Sequence, residues 1–350
     1  EALYKAIAET NQEIYQRGKA NSDFHNMGTT VSAMVMLPQG AIIGHVGDSR
    51  IYRFRNNTLE QMTFDHSLVW ELQASGQMDK NSDLISRVPS NVITRSLGPH
   101  AEVKVDIEGP FVIEQGDLYL LCTDGVSGMI EDEELAVIIA NLPTYEAAQF
   151  IVDLANIRGG SDNSTVIVAL AAGTQIVTSR PDETEAALEP IPVRRAHPGF
   201  WITAFLLMVM AFWISETSTW VFGLPIAVLG LGTLGTGIWL GRSYRQEVAN
   251  TPAFTPPQGK GPYTSTGCKV TREFLAKLLD KCRDLKKVAL ENQATIEWDH
   301  FNELTTQAAS AAKKKGYNES MRYYARAISF MMKEFRFQKL KQLGTTVEEE

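Results

Sequence analysis

Cysteine is scarce in this chain of 350 residues, and positive charge does not dominate it. The three cysteines, Cys122, Cys268 and Cys282, are too few and too widely spaced for a disulfide framework or a zinc site. We therefore expect free thiols in a reducing compartment. The formal net charge is −8, and no stripe of Lys and Arg with interleaved aromatic residues occurs. Both observations argue against a nucleic-acid-binding protein.

Charge almost vanishes over residues 198–241, where Glu216 is the sole charged side chain. The uncharged runs 198–215 and 219–241 are close to the length of about 20 residues that a membrane-spanning helix needs. A tryptophan lies near each of the four ends, as interfacial aromatic residues do. These tryptophans are Trp201, Trp213, Trp220 and Trp239. The pattern predicts a transmembrane helical hairpin, and a buried hairpin of a soluble protein is the alternative.

Basic residues flank this hairpin on both sides, with Arg194 and Arg195 before it and Arg242 and Arg245 after it. The loop at 216–218 is acidic and polar. By the positive-inside rule, both long ends lie in the cytoplasm, and the protein lies in the inner or plasma membrane. Neither span carries an ionisable residue, so the hairpin is expected to be an anchor without a catalytic or transport role.

Three short acidic motifs each adjoin an apolar, strand-like run. Asp48 follows the run at 41–46, Asp124 follows the run at 118–122, and Asp162 precedes Val166. Each motif alone is ordinary turn chemistry. Together they place three carboxylates at the edge of one sheet system, and carboxylate oxygens suit Mg²⁺ or Mn²⁺.

The order of these and other motifs resembles the metal-dependent serine/threonine protein phosphatases of type 2C, in their bacterial form. The resemblance covers residues 1–171. The matching stretches are Gly28-Thr29-Thr30, His45-Val46-Gly47-Asp48-Ser49-Arg50, Thr63-Phe64-Asp65-His66-Ser67-Leu68, Val92-Ile93-Thr94-Arg95-Ser96-Leu97-Gly98, Leu120-Leu121-Cys122-Thr123-Asp124-Gly125-Val126 and Gly160-Ser161-Asp162-Asn163-Ser164-Thr165-Val166.

The resemblance implies an α+β fold in which two antiparallel sheets are sandwiched between helices. It also implies two to three Mg²⁺ or Mn²⁺ ions at one end of the sandwich. Asp124 and Asp162 correspond to ligands of the first metal, and Asp48 to a ligand of a weaker third metal shared with Asp124. Arg50 and Arg95 are interpreted as ion-pair partners that organise the acidic centre, and Gly125 and Asn163 as supporting residues.

The implied reaction is hydrolysis of phosphoserine and phosphothreonine esters in phosphorylated proteins by a metal-activated water. No protein nucleophile is needed, which agrees with the lack of a convincing Ser-His-Asp or Cys-based arrangement. The family's first strand, with an Asp-Gly-Met-Gly-Gly-His type segment and a metal-bridging Asp, has no counterpart here. The phosphate-contacting Arg and the general-acid His of the family are expected upstream of residue 1. The alternative function is therefore a non-catalytic phosphatase-like binding module.

Periodicity predicts the elements of residues 1–171. A first helix of about 20 residues has Leu3, Ile7 and Ile14 on one face. His66 is interpreted as a structural residue at a helix start, with catalysis as the alternative. The predicted strands are 30–36, 41–46, 51–55, 102–108, 118–122 and 165–170, with turns at 38–40 and 56–57, and the predicted helices are 63–77, 131–141 and 144–155.

The remaining chain divides into linkers at 172–197 and 242–268, a helical domain at 269–343 and an acidic tail at 344–350. The domain has predicted helices at 270–292, 295–315 and 318–340. Its second and third helices resemble one tetratricopeptide-like hairpin, and a plain three-helix bundle is the alternative. A protein partner for these helices is a further expectation.

Overall fold

The structure of the protein is a computed structural model that describes residues 1–76, Val88, 92–173 and 261–342. The predicted transmembrane hairpin at 198–241 and acidic tail at 344–350 lie outside these residues. Across the described ranges, no helix is long and apolar enough to cross a membrane.

Contacts divide the chain into two compact units. The first combines Glu1–Arg180 with Pro257–Glu350, and the second is Pro181–Pro256. The second unit falls wholly outside the described residues. All elements below therefore belong to the first unit.

The strands of this unit form two antiparallel sheets, as expected for the fold class. One sheet has the order β1-β2-β5, and the other has the order β7-β6-β3-β4-β8. Within the described ranges, the strands are β1 (Val31–Leu37), β2 (Gly40–Val46), β3 (Arg50–Arg55), β4 (Thr58–Gln61), β5 (Asp106–Phe111), β6 (Leu118–Cys122), β7 (Val166–Leu170) and β8 (Thr264–Gly267).

Helices from both the N-terminal and the C-terminal part of the sequence cover these sheets. The described helices are α1 (Ala2–Ala20), α2 (Leu68–Ala74), α3 (Asp124–Ser127), α4 (Asp132–Asn141), α5 (Thr144–Ile157), α6 (Arg272–Glu291), α7 (Trp298–Lys313) and α8 (Tyr317–Gln342). The predicted apolar face of α1 is confirmed, because Leu3, Ile7 and Ile14 pack in one cluster with Val46 of β2.

The helices predicted for 269–343 are present, and they share one hydrophobic core with the N-terminal part. Phe150 of α5, Leu275 of α6 and Ile328 of α8 belong to the same buried cluster. Helix α8 packs against α7, α6 and α5. Residues 269–342 are thus part of the same compact unit as residues 1–171.

Two sequence predictions need correction in this region of the fold, and one strand was missed. The linker predicted at 242–268 ends in strand β8, which pairs with β4 in the register Leu59↔Thr266. The strand predicted at 102–108 is shifted to Asp106–Phe111, because β2 offers pairing partners only as far as His45↔Asp106. Strand β4 was not predicted.

The helix predicted at 63–77 begins only at Leu68, with Ser67 as its N-cap. The preceding backbone is bonded to another segment, since the carbonyl of His66 accepts from the amide of Thr94 at 2.9 Å. In a longer helix that carbonyl would instead accept from the amide of Trp70, which here donates to the Ser67 hydroxyl.

Candidate metal centre and active site

Strand register brings the three acidic motifs to one edge of the five-stranded sheet. Arg50 of β3 lies opposite Cys122 of β6, and Cys122 lies opposite Val166 of β7. Asp48 precedes Arg50 by two residues, Asp124 follows Cys122 by two residues, and Asp162 precedes Val166 by four residues. Because antiparallel neighbours alternate in direction, the start of β3, the end of β6 and the start of β7 meet side by side.

The three aspartates line one cleft of about 500 Å³. We call it the aspartate cleft. Arg50, Asp65, Ser67, Val69, Trp70, Gly125, Ser127, Gly128, Met129 and Ser161 complete its lining. Of the predicted supporting residues, Arg50 and Gly125 therefore line the cleft, and Arg95 and Asn163 lie outside its lining.

Asp48 sits on a tight turn between the two sheets. Gly47 has φ of +118°, and a Cβ there would lie 2.4 Å from Cγ2 of Thr30, so the turn requires glycine. The Asp48 residue is only 8% exposed. Burial, and secondly the negative charge of Asp124, raise the pKa of the Asp48 carboxyl to about 6. These two carboxylates are therefore close enough to repel each other.

The turns that carry Asp124 and Asp162 are fastened directly to each other. A Cβ on Gly125 would lie 2.6 Å from the carbonyl oxygen of Asn163, so only glycine permits this approach. The Ser164 hydroxyl donates to the Gly125 carbonyl at 3.0 Å, and the Thr123 hydroxyl donates to the Asn163 carbonyl at 3.1 Å. Asn163 thus acts through its backbone, as part of the clamp between the two turns.

Arg50 forms an ion-pair network at the wall of the cleft. Its Nε lies 2.8 Å from Oδ2 of Asp65, and its guanidinium also lies 3.5 Å from Oδ1 of Asp132. The guanidinium stacks over Trp70 at 5.7 Å from the ring centroid. Arg50 is thereby held in place by neighbouring acids, and it fixes the cleft wall.

Arg95 belongs to a separate buried network with His66. The Gly47 amide donates to Nδ1 of His66, and Nε2 lies 2.9 Å from both Oδ2 of Asp106 and Nη1 of Arg95. Arg95 lies 2.8 Å from Oδ1 of the same carboxylate. Burial alone would raise the pKa of Asp106, but His66 and Arg95 outweigh it and lower that pKa to about 2. His66 is fully buried and holds the Gly47 turn, which matches its structural interpretation.

The donor set suits a hard divalent cation in kind, because it consists of carboxylates with two of them mutually repelling. Oδ1 of Asp124 accepts from the Gly125 amide at 2.9 Å, and Oδ1 of Asp162 accepts from the Asn163 amide at 2.7 Å. In the part of the chain that the structure describes, no three His, Cys, Asp or Glu side chains are placed to hold one metal ion. The described residues thus bring Asp48, Asp124 and Asp162 into one cleft without forming such a three-ligand cluster.

Sequence reasoning assigned no role to two residues that shape the cleft. Asp65 fixes Arg50, and Trp70 forms a wall beside it. Asp65 lies inside the quoted motif at 63–68, so a signal existed. No sequence motif pointed to Trp70 as a cleft residue, because its position depends on where α2 begins.

Comparison with known proteins finds similarity to protein phosphatases. The family model described as protein phosphatase 2C matches residues 1–99. The serine/threonine phosphatase stp of Listeria monocytogenes serotype 4b is 38% identical over 169 residues, which are 47% of this chain and 66% of that relative. The chain thus spans slightly less than two thirds of the length of that relative.

Solved structures of phosphatases are similar in sequence over the same region. The serine/threonine phosphatase PstP/Ppp of Mycobacterium tuberculosis is 32% identical, with coverage of 47% of this chain and 68% of that chain and a TM-score of 0.43. The catalytic domain of PstP in complex with two manganese ions is 30% identical, with coverage of 47% and 67% and a TM-score of 0.41. These similarities rest on sequence identity and not on overall structural superposition.

Proposed function

We propose that this chain is a metal-dependent protein serine/threonine phosphatase, because its N-terminal part is similar to protein phosphatase 2C proteins. Its substrates are phosphorylated proteins. The observation that supports this proposal most is the convergence of Asp48, Asp124 and Asp162 on one cleft. Water activated by a bound divalent cation would supply the attacking oxygen.

Asp48 and Asp124 are the residues that would hold a cation between them, and Asp162 lies in the same cleft. The Gly125–Asn163 clamp keeps the turns of Asp124 and Asp162 together. Arg50 keeps the cleft wall fixed through Asp65. In this proposal the cation would supply the chemistry, and the residues of the chain would hold it in position.

A non-catalytic phosphatase-like module is the second candidate, because no complete set of three metal ligands occurs within the ranges that the structure describes. Such a module would bind phosphoproteins in the same cleft without hydrolysing them. Both candidates bind phosphoproteins, but only the phosphatase hydrolyses them.

The test is Mn²⁺-dependent hydrolysis of a phosphothreonine peptide by the full chain in detergent. Asp124→Asn should abolish phosphate release. Asp23→Asn is the matched control, because Asp23 is exposed and does not line the cleft. Phosphopeptide binding without release of phosphate by the unmodified chain would favour the binding module. Neither binding nor hydrolysis would overturn both candidates.

We also propose that residues 198–241 anchor this phosphatase in the inner or plasma membrane as a two-helix hairpin. Strands β7 and β8, on the two sides of this segment, belong to one sheet. Both ends of the segment must therefore lie on the same side of a membrane, which requires an even number of crossings. This supports a position of the phosphatase part and the C-terminal helices on one side of the membrane, and by the positive-inside rule we propose the cytoplasmic side.

Labelling of single introduced cysteines tests this topology. An impermeant maleimide should label Thr217→Cys in intact cells, because this position lies in the loop between the two spans. Ala172→Cys should be labelled only after lysis. Labelling of both positions in intact cells, or of neither, would contradict the hairpin.

A further inference from the structure

A second cleft of about 420 Å³ continues from the aspartate cleft. The two clefts share Ser127, Gly128 and Met129, which follow Asp124 along the chain. The opposite wall of the second cleft comes from α6, with Lys277, Leu278 and Lys281. We call it the lysine cleft.

The packing of α6 explains why these lysines face the cleft. Thr271 caps the helix by accepting from the amide of Phe274 at 3.1 Å, and Leu278 is buried in the shared core. Lys277 and Lys281 are four residues apart and therefore lie on one face, at the border of that buried stripe. Their side chains stay 47% and 36% exposed, so they reach both the cleft and solvent.

Acidic residues of the lysine cleft are already engaged by other groups. Arg158 binds Glu134 through two hydrogen bonds, of 2.5 and 2.8 Å, and also donates to the carbonyl of Met129 at 2.8 Å. Glu131 accepts from the backbone in the capping box of α4. The Arg158–Glu134 pair is thus internally neutral and supports the turn between the two clefts.

The two lysines have only loose partners. The ammonium of Lys277 lies 3.8 Å from Glu134 and 3.9 Å from Glu273, and that of Lys281 lies 3.3 Å from exposed Asp284. Exposed pairs at such distances contribute little and are readily exchanged. Both ammonium groups can therefore leave their present partners and bind an incoming carboxylate or phosphate, although the net charge of the chain is −8.

We propose that the lysine cleft is a subsite for acidic side chains that flank the phosphorylated residue of a protein substrate. This inference rests on the proposed function, because it assumes that the phosphoresidue enters the aspartate cleft. A peptide that crosses Ser127–Met129 would then present its neighbouring residues to α6. The C-terminal helices would thereby select the substrate as well as complete the core.

The test compares two fluorescent phosphothreonine peptides of equal length, one flanked by glutamates and one by glutamines. The full chain in detergent binds each peptide without added metal, and the Kd is measured by fluorescence anisotropy. The unmodified chain should prefer the acidic peptide by about fivefold, as expected for two partly exposed ion pairs. The double variant Lys277→Gln/Lys281→Gln should bring the ratio close to one.

The matched control is Arg283→Gln/Lys287→Gln. These residues lie on the same helix with the same spacing and the same loss of charge, but they do not line the cleft. Their variant should keep the preference. Equal affinity of the unmodified chain for both peptides, or loss of the preference in the control, would overturn the proposal.

Hydrolysis of the same peptides with Mn²⁺ separates this inference from the proposed function. An acidic preference in Kd without phosphate release would retain the subsite and refute catalysis. Equal kcat/KM for the two peptides, together with equal Kd, would retain the phosphatase and refute the subsite. A preference in both quantities that is lost only in the Lys277/Lys281 variant would support both.

Discussion

Replacing Arg336 by Met should destabilise the whole phosphatase unit, because Arg336 of α8 pairs with Asp153 of α5. Asp153 is fully buried, and its Oδ2 has no hydrogen-bond partner among the described residues. Loss of the arginine would leave a buried carboxylate without its cation, a change that costs about 3–5 kcal/mol. Gln149 still donates to Oδ1 at 3.1 Å, so we expect the lower end, about 3 kcal/mol.

Arg326→Met is the matched control on the same pair of helices. Arg326 binds Glu146 through two hydrogen bonds of 2.8 and 3.1 Å, but these side chains are 45% and 34% exposed. Its removal should cost about 1 kcal/mol or less. The double variant Arg336→Met/Asp153→Asn should recover much of the loss, because no charge then remains buried.

Thermal unfolding of the full chain in detergent measures these differences. About 3 kcal/mol corresponds to a Tm lowered by roughly 6–12 °C for a unit of this size. Arg326→Met should lower the Tm by about 2–4 °C at most. Equal shifts for the two arginine variants would refute the reasoning, and so would unfolding of the C-terminal helices apart from the rest.

Three further predictions concern the cleft and its surroundings. Asp48→Asn should raise the free energy of unfolding of the metal-free protein at pH 7 by up to about 3 kcal/mol, measured by urea titration. The reason is that the pKa of Asp48 in the folded protein, about 6, exceeds the ordinary 3.8. This gain should vanish below about pH 4, where the carboxyl is protonated in both states. Burial and the neighbouring His66 ring lower the pKa of His45 to about 4. The free energy of unfolding should therefore fall by up to about 3 kcal/mol as the pH drops from 6.5 to 4. His45→Gln should reduce this dependence of stability on pH. Gly125→Ala should separate the two turns and reduce phosphopeptide turnover at least tenfold, since the new Cβ would meet a backbone oxygen at 2.6 Å; a fully active variant would contradict the clamp.

Local periodicity was enough to predict most elements of this fold. The strands expected at 41–46 and 118–122 lie at Gly40–Val46 and Leu118–Cys122. The helix expected at 270–292 spans Arg272–Glu291. These segments succeed because each carries its own apolar pattern and its own turn or cap residues.

Long-range pairing could not be predicted in the same way. Strand β8 reads Thr-Ser-Thr-Gly, which has no apolar alternation, and its partner β4 lies about two hundred residues earlier. The packing of α8 against α4 likewise depends on contacts such as that of Arg322 with the carbonyl of Asn141 at 2.7 Å. The start of α2 was missed because the backbone of His66 bonds to Gly47 and Thr94, which are distant in sequence.

The candidate site could be predicted as a set of residues, but its electrostatics required the structure. Sequence motifs identify Asp48, Asp124 and Asp162, and β-strand register explains why they meet. The raised pKa of Asp48 depends on burial and on the distance between two turns, neither of which the motifs encode. The lysine cleft gave no sequence signal, because its two walls come from distant parts of the chain.

The way in which buried acids are neutralised distinguishes this site from the rest of the fold. Three buried carboxylates outside the site pair with arginine: Asp117 with Arg55, Glu134 with Arg158 and Asp153 with Arg336. Asp48 has no ion pair among the described residues and faces the carboxylate of Asp124 instead. A buried acid beside a like charge lowers stability, and such sites are retained where function requires them. The arrangement therefore differs from a structural salt bridge, and this is the physical reason for the divalent-metal chemistry that we propose for these residues.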